Sequence, residues 1–438
     1  MLKTKRTYFL VFLLFLFVFQ PPFFPFSLIY LLGPIIFVYN LNKRGPEIRE
    51  IINRSHIKSL SLIIVSMTGY LILVNLIDLI AFPEKELMAT RLKCFNQLFF
   101  LTFFQFGFVL FYLYKANKRN LSLDDVFYLL LQVAVIQGIC ALLAFAIPPI
   151  RQLFVTFGDK DLFSNEYFLE RRGYGFSMTL IDTFGYGMGL IAGYILLFKW
   201  KPGMKRYLII ALGLILFTIA VNARTGIIVF LIALGVKVTY GKSLKQLLLK
   251  VIPAIVFSYL ILIYVPHLLQ VGVQSDNVTI RWISSSFADI FDLISGTGES
   301  VDSVEELGFL SAFVKLPSND FEYLFGSGHY VYDTHKTLGF RTDIGYFNML
   351  WEFGLIGTII LLGVMFIFMM RPFTMTNDVS IKRITLFNTV SYFLLLMKAI
   401  LIGFNPGVFI NYLVTFSIYY YIWKEKQKRV KFKFKKNE

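Results

Sequence analysis

Apolar runs about as long as a bilayer is thick recur along this chain, and that recurrence constrains the fold more than any other feature. They lie at 8–20, 26–41, 59–81, 95–114, 126–147, 177–198, 207–222, 226–240, 251–270, 344–370, 384–403 and 408–422. A membrane-spanning helix needs about 17–25 such residues. The sequence therefore predicts an all-α polytopic integral membrane protein with about twelve transmembrane helices. Composition agrees: 57% of the 438 residues are hydrophobic and only 16% are charged, which excludes a soluble globular chain and a disordered one. Aromatics reach 18%, more than a soluble core needs but acceptable on lipid-facing and interfacial surfaces. Pro21, Pro22 and Pro25 interrupt the first apolar stretch, so 8–41 is a short hairpin or one kinked helix. No small-residue cleavage site follows the first run, so a cleavable signal peptide is not expected.

Charge sets the orientation. Most of the 43 Lys and Arg fall at the N-terminus, in 42–58, 115–125, 199–206, 241–250 and 371–383, and in the 423–438 tail. By the positive-inside bias these segments are cytoplasmic, and so are both termini. The net charge of +16 then reads as an orientation signal and a contact with membrane lipids, not as a nucleic-acid footprint. The acids favour the other side. The 271–343 segment holds eleven Asp and Glu against four Lys and Arg, and it is too long to be a mere connector. We read it as one large extracytoplasmic loop with short amphipathic helices near 280–294 and 304–314, and the whole of 1–438 as a single membrane domain.

Asp78, Asp182, Glu352 and Lys398 fall inside apolar runs. Two readings stand for them: shallow ionisable groups that snorkel to the surface, or a polar cavity open to the outside. Glu352 is the deepest, so snorkelling suits it least. Arg171, Arg172, Arg224, Arg281 and Arg341 all lie on the extracytoplasmic side. They either touch lipid headgroups or recognise a phosphate through the guanidinium fork. Arg224 lies in Asn222-Ala223-Arg224-Thr225-Gly226, a connection short enough to be a tight turn, and a tight turn has no need of arginine. His329 and His335 in the large loop are surface residues or catalysts, and Asp343 is a candidate general base.

Several chemistries lack their motifs. There is no phosphate-binding GxxxxGK[ST] loop, no GxGxxG after a strand and no HExxH. Two cysteines and four histidines do not make a structural zinc site. Asp159-Lys160-Asp161 has the spacing of a metal-binding acidic pair, but a solvated turn accounts for it. No metal and no cofactor are expected.

Four segments, in order, carry a resemblance. They are Arg171-Arg172-Gly173 before a glycine-rich helix, Asn222–Gly226 between two helices, Leu324-Phe325-Gly326-Ser327-Gly328 near the end of the large loop, and Asp343-Ile344-Gly345-Tyr346 through Trp351-Glu352-Phe353-Gly354-Leu355-Ile356-Gly357. Together they resemble the bacterial O-antigen polymerase and ligase superfamily, Wzy-type polymerases included. The resemblance implies a GT-C-like membrane glycosyltransferase of the bacterial inner membrane, independent of metal and nucleotide. Its donor and acceptor would be undecaprenyl-pyrophosphate-linked oligosaccharides, with a flippase and a chain-length regulator as partners. Arg171, Arg172, Arg224, Arg281 and Arg341 would bind pyrophosphate, and Asp343, Glu352 or His335 would serve the acceptor hydroxyl. Ligase relatives carry His-Asn where this chain has Asp343-Ile344, which favours polymerase for O-antigen or capsule. A ligase and a lipid-linked oligosaccharide flippase remain the alternatives; against a transporter, no internal repeat relates the two halves.

Overall fold

The computed structural model of the chain describes residues 5–21, 29–43, 45–81, 96–156, 175–177, 182–200, 202–222, 225–240, 316–317, 319–328, 345–396 and 406–437. Among the described residues there is no strand. The helices are α1 (Lys5–Phe19), α2 (Ile29–Asn42), α3 (Pro46–Arg54), α4 (Ile57–Ala81), α5 (Thr102–Lys118, entered through a π turn at Asn96–Leu101), α6 (Leu123–Ala146), α7 (Pro148–Thr156), α8 (Asp182–Leu197), α9 (Lys205–Asn222), α10 (Thr225–Thr239), α11 (Asp320–Phe325), α12 (Gly345–Met375), α13 (Val379–Leu395) and α14 (Pro406–Asn437).

Every apolar run named above coincides with a helix except 251–270, which lies outside the described residues. Five stretches are long and apolar enough to cross a membrane: Ile57–Ile77, Leu98–Lys118, Leu123–Ala146, Lys205–Asn222 and Gly345–Met375. Shorter apolar helices run over Tyr8–Phe19, Tyr30–Asn40, Phe184–Leu197 and Thr225–Thr239. Their outward faces are greasy. On α4, Leu62, Val65, Ile72, Leu73, Leu76 and Ile80 are exposed, and on α12 so are Ile356, Ile359, Ile360, Phe366 and Ile367. Against water each Å² of that surface is unfavourable by about 25 cal/mol; against acyl chains it is not. The Pro21–Pro25 question resolves toward two helices, since α1 and α2 are separate elements.

Two connections of the sequence reading contain helices. Within 42–58, Gly45 caps α3 and Pro46 occupies its first turn, where a missing N–H does no harm. Ile48 and Ile51, three apart, are its buried stripe. After α6, α7 brings Arg151 back onto the end of that helix. Arg151 Nε donates to Ala144 O at 3.1 Å and Nη2 to Phe145 O at 3.2 Å, satisfying carbonyls that a helix terminus leaves open. The basic stretch after Trp423 continues α14 as helix to Asn437.

The chain forms two compact units. One comprises Met1–Leu10, Ser27–Leu129 and Gly308–Glu438, the other Val11–Phe26 and Leu130–Leu307. In the first, α14 is buried at every position from 407 to 422, although it carries Asn411, Thr415 and Ser417. Its amides are matched: Asn411 Nδ2 donates to Asn388 Oδ1 of α13 at 2.8 Å, and Asn388 Nδ2 donates to Thr415 Oγ1 at 2.9 Å. Away from water an unpaired amide is costly, so this reciprocal pair fixes the register of α13 against α14. In the second unit, α8 is buried at every position from 184 to 195.

Candidate functional site

In the second unit α8 and α10 meet backbone to backbone. A Cβ on Gly226 would fall 2.5 Å from Gly185 O, and one on Gly189 would fall 2.6 Å from Gly226 O. Small residues four apart, Gly185 and Gly189, let the two helices approach this closely. Further along, Lys237 Nζ donates to Leu196 O at 2.8 Å. The contacts run in the same direction along both helices, so α8 and α10 are parallel and begin side by side. The first turn of α10 is thereby held against the first turns of α8. At the end of α9, Asn222 is buried and its Nδ2 donates to Thr218 O at 2.9 Å. Two adjacent helix starts bring their positive dipole ends to one place. Arg224 itself, and Arg171 and Arg172 upstream of α8, lie outside the described residues.

In the first unit α12 breaks at Gly354, whose φ of 66° and ψ of 179° no helix contains. A break frees carbonyls that must find donors when water is absent. Each of the following does. Thr358 Oγ1 reaches back across the break to Met349 O at 2.9 Å. Ser327 donates to Trp351 O twice, through its N–H at 2.7 Å and its hydroxyl at 2.9 Å. Gly328 N–H donates to Glu352 O at 3.1 Å. The Tyr70 hydroxyl of α4 lies 3.0 Å from Phe353 O and 2.6 Å from Phe325 O, sharing its one proton between them.

The donors come from a segment built to fit. Asn319 caps α11 by accepting from Phe321 N–H at 2.9 Å, and Gly326 N–H closes the helix on Glu322 O at 2.8 Å. Gly326 and Gly328 then turn with φ of 88° and 69°. A side chain on Gly326 would run into Glu352 O, and one on Gly354 into Gly326 N. At Gly328 a Cβ would fall 2.5 Å from Asn75 Oδ1. Glycine is therefore required at these positions twice over, by dihedral and by space.

Glu352 is the sequence candidate that this geometry contains, and it is 4% exposed. Asn348, one turn earlier on the same face, is buried as well. Glu322 on α11, 6% exposed, is a second buried acid beside the break and was not among the sequence candidates. Its signal was the cap: Asn319-Asp320 announces a short helix, and an acid inside a helix packed on α12 has a buried face available. Tyr70 and Asn75 were missed because nothing in α4 marks them apart from their neighbours. No family model, curated protein or solved structure matches this chain. Asp343, His335, Arg281 and Arg341 lie outside the described residues, as do His329, Lys398, Asp159 and Asp161. Asp78 and Asp182 are in helices, α4 and the start of α8.

Proposed function

We propose that this chain is a polysaccharide polymerase of the bacterial inner membrane. It transfers a glycan from undecaprenyl pyrophosphate onto the non-reducing end of a lipid-linked repeat unit at the extracytoplasmic face. One observation carries the reading. The Leu324–Gly328 segment and the Trp351–Gly357 segment, two of the four that resemble the O-antigen polymerase superfamily, are bonded to each other around a helix break beside buried Glu352. The close approach of α8 to α10 adds to it, since the glycine-rich helix meets Gly226, the last residue of the Asn222–Gly226 segment.

In the proposed reaction an acceptor sugar hydroxyl attacks the anomeric carbon of the donor glycan. The bond from that carbon to the pyrophosphate oxygen breaks, and the hydroxyl proton passes to a carboxylate or imidazole, with Glu352, Asp343 and His335 as candidates. Undecaprenyl pyrophosphate leaves carrying the negative charge. Arg171, Arg172, Arg224, Arg281 and Arg341 supply fixed cations for that charge, which is worth most where water is scarce. Twelve membrane crossings, cytoplasmic termini and a GT-C-like arrangement belong to this reading.

A gel of surface polysaccharide from a deletion strain tests it. Complementation by the wild-type chain restores long chains, whereas Arg224→Ala and Arg224→Lys leave single repeats, because a point charge does not replace the guanidinium fork. Long chains that persist on the lipid carrier without attachment in the deletion strain would mean a ligase. Loss of even the single repeat would mean a flippase.

A further inference from the structure

Three lysines gather at one membrane-surface end of the first unit, where α2 finishes and α5 finishes. Lys115 Nζ donates to the Tyr39 hydroxyl at 2.9 Å and stands 4.9 Å from the centre of the Tyr39 ring, 5.3 Å from Phe111 and 6.0 Å from Tyr114. Lys43 Nζ is 5.8 Å from the same Tyr39 ring, and Lys118 Nζ is 4.7 Å from the same Tyr114 ring. Each neighbouring pair of ammonium groups thus shares one aromatic ring. Such rings attract cations, yet they carry no net charge with which to neutralise three of them.

Glu47 is the acid whose charge reaches Lys118, but its hydrogen bond goes to Asn117 and not to any of the three lysines. Glu47 Oε1 accepts from Asn117 Nδ2 at 2.8 Å, and Asn117 Oδ1 accepts from Lys424 Nζ at 3.0 Å. Among the described residues no carboxylate lies within 4.0 Å of Lys43, Lys115 or Lys118. Lys115 differs from a lysine that merely snorkels. Three rings and a hydroxyl hold it half-buried in one place, so its charge cannot simply move out to water. Beside the cluster, α2 presents Ile35, Phe37 and Val38 outward, a surface suited to acyl chains.

We propose that Lys43, Lys115 and Lys118 bind the phosphate of one anionic phospholipid headgroup, its acyl chains lying along α2. Fixed cations above an apolar helix face, with amphipathic rings at headgroup level, match a phosphodiester attached to hydrocarbon. This site rests on the membrane reading of the chain and is independent of the polymerase reading.

The test uses the purified full chain, delipidated in detergent, and native mass spectrometry with added phosphatidylglycerol or phosphatidylcholine. The wild type retains one phosphatidylglycerol that phosphatidylcholine does not displace. Lys43→Gln with Lys118→Gln, both at exposed positions, weakens that retention about tenfold, and adding Lys115→Gln weakens it further. A chain with Lys431, Lys433 and Lys435 all changed to Gln keeps it. Undiminished retention in the Lys43 and Lys118 double variant would overturn the proposal, as would loss in the Lys431, Lys433 and Lys435 variant alone. Displacement by millimolar inorganic phosphate would also overturn it, since it would make the site one for a free anion.

Discussion

At the scale of the residue, Gly354 and Tyr70 carry the most. Backbone at φ 66° and ψ 179° is close to glycine-only, and forcing another residue there costs about 1–3 kcal/mol before any collision is counted. Gly354→Ala should therefore lower the melting temperature of the purified protein well below that of Gly213→Ala, where a Cβ meets nothing within 4 Å. Tyr70→Phe removes the hydroxyl that the two carbonyls share, one exposed and one part-buried, a loss of about 0.5–1.5 kcal/mol that the same thermal melts would register. His56 is a residue of another kind. It sits between α3 and α4 with φ 61°, its ring 4.5 Å from that of Tyr419. Burial first, and the Arg371 guanidinium second, hold its pKa below the ordinary 6.5. The unfolded chain then binds the proton more readily, so stability is complete above about pH 6.5 and falls as the pH drops from there toward the folded value. Melting temperatures should decline from about pH 7.5 to about pH 5.5, and less so in His56→Asn, which tolerates the same left-handed backbone.

At the scale of the element, helix location was legible and helix interruption was not. The 344–370 run reads as one unbroken span, because a donor for a freed carbonyl is a tertiary fact. Thr358 is visible in the sequence, but that Tyr70 and Ser327 would stand beside Phe353 and Trp351 is not. The α3 helix was within reach, since Gly45-Pro46 followed by Ile48 and Ile51 is a start signal with a buried stripe. It was obscured by the charges that identify 42–58 as a membrane-surface segment. Apolarity also misleads about position: α8 and α14 are the deeply buried helices, and they carry the glycines, Asn411, Thr415 and Ser417 that a lipid-facing helix would avoid. The parallel pairing of α8 with α10 depends on having no side chains at Gly185, Gly189 and Gly226. Gly226→Leu should push the helices apart, reducing the yield of monodisperse protein on size exclusion, while Gly235→Ala, which meets nothing within 4 Å, should not.

At the scale of the whole molecule, the described residues fold as helices in two compact units whose outward faces suit lipid. Of the candidate groups Glu352 lies in the unit that holds the helix break. Cations that steady a leaving pyrophosphate and an acid that serves an acceptor hydroxyl are what glycan polymerisation needs. Neither ATP hydrolysis nor zinc chemistry has a motif here to compete with that account. The most direct measurement is reconstitution of the purified chain in proteoliposomes with lipid-linked single repeats extracted from the deletion strain. A polymerase gives a ladder of longer glycans with one undecaprenyl pyrophosphate released per bond, and no ladder from Arg224→Ala. Single repeats that cross the bilayer unchanged, with no bond formed, would contradict the polymerase reading.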